Sequence, residues 1–126
     1  METSTDLNQI FASLKELLQA YRPPLVASVE DVKRFDLVSI KDLVIEGRKR
    51  KEVYFASIII QKDYVGLYYM PVYSDPEMKT LFQPQLLALL KGKSCFHIKR
   101  LDDQLRDQIL TALEDGFKLY KTRGWV

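Results

Sequence analysis

The sequence predicts an α+β fold, a single domain spanning residues 1–126 with an antiparallel sheet of about four strands packed by amphipathic helices at either end. Three observations carry this. Apolar residues recur at helical spacing near both termini, β-branched and aromatic runs fill the middle, and the connections between those runs are short. The expected order is α-β-β-β-α-β-α, a three-stranded meander plus one further strand.

The first helix is expected at about residues 6–21, where Leu7, Ile10, Phe11, Leu14, Leu17, Leu18 and Tyr21 form one stripe at three- and four-residue steps. Asp6 followed by Gln9 offers a cap, and Pro23-Pro24 stops the helix. Strands are expected over 35–45, 52–61 and 64–72, with Gly47 and Lys62-Asp63 as turn signals. Connections this short favour antiparallel neighbours. Residues 74–85, with Pro76 and Pro84, read as a loop holding at most one helical turn. A short helix over "PQLLALLKG" follows, and then a strand over "KSCFHIKRL". The last helix, about 103–122, carries Leu105, Ile109, Leu110, Leu113, Phe117 and Tyr120; Asp102 or Asp103 caps its start, and Gly124 suits its exit.

Strict alternation along "VYFASIII" puts Tyr54, Ala56, Ile58 and Ile60 on one face and Val53, Phe55, Ser57 and Ile59 on the other, so neither face is polar. The next strand sets Tyr64, Gly66, Tyr68 and Met70 against Val65, Leu67, Tyr69 and Pro71. Both sides of the sheet centre therefore need cover from helices, a subunit partner or a ligand. Tyrosine joins a large apolar surface to a hydroxyl that wants a partner, which suits core packing, a pocket or an interface. The candidate binding or interface residues are Tyr54, Tyr68 and Met70, with His97 as an added polar group. The expected occupant is a small apolar ligand or a second copy of the chain.

The sequence offers little chemistry beyond this. Nineteen Lys and Arg against seventeen Asp and Glu leave a net charge of +2, too little for a global field that draws a protein onto nucleic acid. The run Arg48-Lys49-Arg50-Lys51 is the one local alternative, a tip for an anionic partner. Glu46 and Glu52 bracket it, however, so it reads as the solvated end of a β-hairpin. One histidine, His97, and one cysteine, Cys95, furnish neither a Ser or Cys nucleophile with an oriented base nor a structural zinc set. The five glycines are scattered, with no phosphate-binding loop, and Gly116 inside the last helix suggests close packing on the sheet. No catalytic residue, metal ligand or cofactor is expected, and a non-enzymatic binding module is the leading expectation. The lone cysteine and the absence of a long apolar run point to a cytoplasmic protein without membrane association.

The segments "VYFASIIIQKDYVGLYYMP", "LLALLKGKSCFHIKRLDD" and "GFKLYKTRGWV" resemble the YdhG-like family of small bacterial proteins, a domain of unknown function. The likeness runs over roughly residues 10–126. It implies an antiparallel sheet with helices packed on it, similar to frataxin-like iron chaperones, and one branch of the family is assigned an iron role. Frataxin-like iron binding uses an acidic ridge that includes the first helix. Here that helix offers only Asp6 and Glu16, so no metal residue carries over and iron handling rests on the resemblance alone.

Overall fold

The computed structural model describes residues 3–41, 43–45, 47–50 and 52–126. Its elements are α1 (Leu7–Gln19), β1 (Val26–Glu30), β2 (Arg34–Ser39), β3 (Leu43–Ile45), β4 (Arg48–Arg50), β5 (Val53–Ile60), β6 (Val65–Tyr69), α2 (Met70–Ser74), a 3₁₀ helix (Pro76–Leu81), α3 (Pro84–Leu87), β7 (Leu90–Lys91), β8 (Cys95–Ile98) and α4 (Asp103–Thr122). Six strands form one antiparallel sheet in the order β1-β2-β5-β6-β8-β7, while β3 and β4 pair separately as a two-stranded ribbon. The α+β class is as the sequence predicts, with a larger sheet. β1 and β7 add edge strands, and the first expected strand divides into β2 and β3.

Both long helices form where apolar spacing and caps agree. The Asp6 carboxylate accepts the Asn8 and Gln9 amides at 2.8 and 3.2 Å, and Asp102 accepts the Leu105 amide at 2.8 Å. At the far end of α4, Gly124 takes a left-handed φ of 74°. Its N–H reaches the Lys121 carbonyl, and the Trp125 N–H reaches that of Tyr120. This is a Schellman exit, completed by the Tyr120 and Trp125 rings at 5.0 Å. Other expected boundaries move. The third strand ends at Tyr69 and turns into α2, and residues 76–81 form a six-residue 3₁₀ helix, longer than one turn.

Register decides which side chains share a face. The rows Phe35, Ile58, Leu67, Phe96 and Leu37, Ala56, Tyr69 cross the sheet and face α1 and α4, and all seven residues are buried. Phe55 joins them, because Leu37 pairs with Ala56 while Val38 pairs with Tyr54, a bulge that leaves Phe55 as the extra residue on β5. The Phe55 ring then meets Tyr21, Tyr69, Phe117 and Tyr120 at centroid distances of 5.4–6.1 Å. Strict alternation is therefore corrected at this point: Tyr54 does not share a face with Ala56 and Ile58, but lies on the opposite side with Ser57 and Ile59.

Gly116 is required by the same packing. A Cβ at that position would lie 2.7 Å from Tyr69 Cζ and 2.8 Å from Pro71 Cγ, so only glycine lets α4 approach this closely. The Tyr69 hydroxyl donates to the Ala112 carbonyl, and the Tyr120 hydroxyl to that of Tyr54, tying the last helix to the sheet.

Candidate functional site

The opposite, outer face is built from two adjacent rows. Asp36, Ser57, Tyr68 and Cys95 stand opposite one another across β2, β5, β6 and β8, and beside them run Arg34, Ile59, Gly66 and His97. Over these rows lies an open depression of about 390 Å³, lined by Arg34, Tyr54, Ser57, Ile59, Tyr68, Met70 and Ser94. Three of the four residues expected at a site, Tyr54, Tyr68 and Met70, are thus brought together.

His97 is on the same face but outside that lining. Its ring stacks on Tyr64, with centroids 3.9 Å apart and planes 12° from parallel. Cys95 and His97, two positions apart on β8, share the face, yet each has a different neighbour. The Cys95 thiol sits against the Tyr68 phenol, and burial pushes its pKa up. The Tyr68 pKa is raised by burial first and then by Cys95. The Tyr68 hydroxyl accepts from Gln61 Nε2 at 3.3 Å, and its ring lies over Gly66, where a Cβ would come within 2.9 Å of Cε2.

Arg34 and Asp36 dominate the electrostatics. Arg34 Nε donates to Asp36 Oδ1 and Oδ2 at 3.0 and 3.2 Å, and Nη2 donates to Oδ2 at 2.8 Å. The Asp36 side chain is 0% exposed and that of Arg34 47%, so a fully buried carboxylate on this face holds a guanidinium that lines the depression. The carboxylate holds the Arg34 pKa above its ordinary value, first through these hydrogen bonds and then through its charge, and the nearby phenols of Tyr54 and Tyr68 act in the same sense. Arg34, Ser57, Ile59 and Ser94 were not among the residues expected from sequence. Opposite charges two positions apart on a strand, Arg34 and Asp36, were the available signal, since such residues share a face.

The alternative basic tip and one further groove involve other residues. Gly47, with φ 78°, turns the β3–β4 ribbon, and Arg48 and Lys49 are exposed on it; Glu46 and Lys51 lie outside the described residues. Asp107 borders a second, more polar groove with Leu81, Gln83, Gln104, Gln108 and Thr111. Among the described residues, no three His, Cys, Asp or Glu side chains gather in a way that could hold a metal ion, and no helix is long and apolar enough to cross a membrane. No family model, curated protein or solved structure matches the chain.

Proposed function

We propose that the protein is a non-enzymatic binding module whose working surface is the outer face of the sheet around Tyr68. The observation that carries this is the two-sided character of the sheet. Both α1 and α4 pack on one face, while the other presents an open depression lined by Tyr54, Tyr68, Met70, Ile59 and the Arg34 guanidinium. Amphipathic aromatics, methionine and arginine around a few fixed polar groups are the usual lining of recognition surfaces. A binding role, in preference to catalysis, is supported by His97, the single histidine, lying ring to ring with Tyr64 while Cys95 faces Tyr68. The segments quoted above and the α+β order support a YdhG-like family assignment, which is part of the same proposal.

A fragment titration followed by amide NMR tests it. The expected result is a set of moving signals that clusters at residues 34, 54, 57, 59, 68 and 94 and is lost in Ile59→Arg. Shifts confined to the groove of Gln83, Gln104 and Gln108, or unchanged by Ile59→Arg, would overturn the reading. Tyr54, which is 40% exposed, also suits an interface between two copies. In that case light scattering reads a dimer that Ile59→Arg converts to monomer.

A further inference from the structure

We infer that the outer depression takes a small organic carboxylate with a flat apolar body, held by the end of the Arg34 guanidinium that Asp36 leaves open. The inference rests on the proposed reading of this face as a binding surface and adds the chemistry of its occupant.

A guanidinium is planar and carries five N–H donors in fixed directions. Asp36 occupies the side formed by Nε and Nη2. The end formed by Nη1 and the second Nη2 hydrogen remains, and Nη1 makes no hydrogen bond among the described residues. That end presents two parallel N–H groups, the geometry that matches the two oxygens of a carboxylate.

Burial makes the arrangement directional. Asp36 lies wholly within the protein and Arg34 reaches into the depression, so the buried partner fixes the orientation of the exposed one. Taking a carboxylate out of water is a poor route to stability when apolar residues of similar volume would pack as well. What an apolar pair would not do is hold a guanidinium in one plane, and that preorganisation reduces the ordering cost of binding.

The remaining walls specify the rest of the molecule. Tyr54 and Tyr68 offer ring surface near the guanidinium, Ile59 and Met70 are apolar, and Ser57 and Ser94 add hydroxyls. A volume of about 390 Å³ is at the small end of the usual ligand range of about 300–1,000 Å³. Because Arg34 and Asp36 together are neutral, selection comes from donor direction more than from net field, which favours a planar carboxylate over a simple inorganic anion.

The test titrates the full chain with 2-naphthoate and with its uncharged amide, 2-naphthamide, following backbone amides by NMR. Naphthoate should move residues 34, 36, 57, 59 and 68 and bind about tenfold more tightly than naphthamide. Arg34→Lys, which keeps the charge but loses the planar fork, should weaken naphthoate by about tenfold and naphthamide by no more than about twofold, so that most of the preference for the acid is lost. The double variant Arg34→Met with Asp36→Leu removes the pair without stranding a buried charge; it should fold and lose the preference for the acid. Equal affinity of acid and amide at the depression overturns the carboxylate inference while leaving the surface reading intact. No shifts there with either compound overturn both. Displacement of naphthoate by inorganic phosphate at comparable concentration overturns the selectivity for a planar carboxylate.

Discussion

The two faces of the sheet use the same residue type in opposite ways. On the inner face Tyr69 and Tyr120 are fully buried, and each hydroxyl is closed off by a backbone carbonyl, of Ala112 and of Tyr54. On the outer face Tyr68 is half-buried over Gly66 with Gln61 at its hydroxyl, Tyr64 lies against His97, and Tyr54 is exposed. A tyrosine inside supplies apolar area and one satisfied hydrogen bond that fixes helix to sheet. Outside, it leaves ring surface and a hydroxyl within reach of another molecule. Stability should therefore reside in the inner face and binding in the outer, and substitutions can separate the two.

The largest contrast lies between Phe55 and Tyr68. Phe55→Ala removes a ring at the centre of four aromatic contacts and leaves a cavity, so the expected loss is about 3–5 kcal/mol in urea unfolding, a large part of the stability of about 5–15 kcal/mol usual for a domain. Tyr68→Ala should cost less, about 1–2 kcal/mol, because the ring is only partly buried and packs on one side over Gly66. Equal losses at the two positions would remove the division between a load-carrying face and a recognition face.

A finer comparison uses glycine. Gly116→Ala gains about 1 kcal/mol of helix propensity but drives a methyl into the Tyr69 ring and Pro71, neither of which has room to retreat. The expected net result is a loss of about 1–3 kcal/mol. Gly66→Ala meets only the edge of the half-exposed Tyr68 ring, which can rotate outward, so its cost should stay under about 1 kcal/mol. Its signature is a displaced Tyr68 resonance and weaker fragment binding. An unfolded Gly66→Ala, or a Gly116→Ala as stable as the parent, would break the comparison.

Much of the inner half was legible in sequence because its determinants are local. The stripes of α1 and α4, the Asp6 and Asp102 caps, the Gly124 exit and the close approach at Gly116 are all written within a few residues of where they act. The outer half depends on register between strands, which no single segment encodes. Tyr54, Tyr68 and Met70 were identifiable as candidates, but Tyr54 reaches their side only because of the bulge opposite Leu37 and Val38. Arg34 precedes Phe35, the first apolar residue of its strand, so the β-branched and aromatic pattern does not reveal its pairing with Asp36. The edge strand Val26–Glu30 leaves as little signal, being five residues in length between a proline pair and a turn; Glu30 ties it to Lys15 at 3.0 Å and Arg22 at 3.4 Å.

The gentlest probe leaves the chain unaltered and changes only pH. Burial first, then the charges of Glu114 and Asp115, raises the Tyr21 pKa from 10.0 to about 12, and burial raises those of Tyr69 and Tyr120 as well. The folded state then keeps protons that the unfolded chain has lost, so between pH 10.0 and about 12 stability falls as pH rises, while at neutral pH these groups contribute no pH dependence. Phenolate absorbance followed alongside circular dichroism should show some tyrosines ionising while the fold persists and the inner ones only as it opens. Tyr68 is the informative intermediate. Its pKa is also raised, by burial and by the neighbouring Cys95, so a ligand seated over it should delay its ionisation further. Reversible ionisation of all seven tyrosines in one step near pH 10, with the fold intact, would mean that the inner face is open to water and that the contrast between the faces is false.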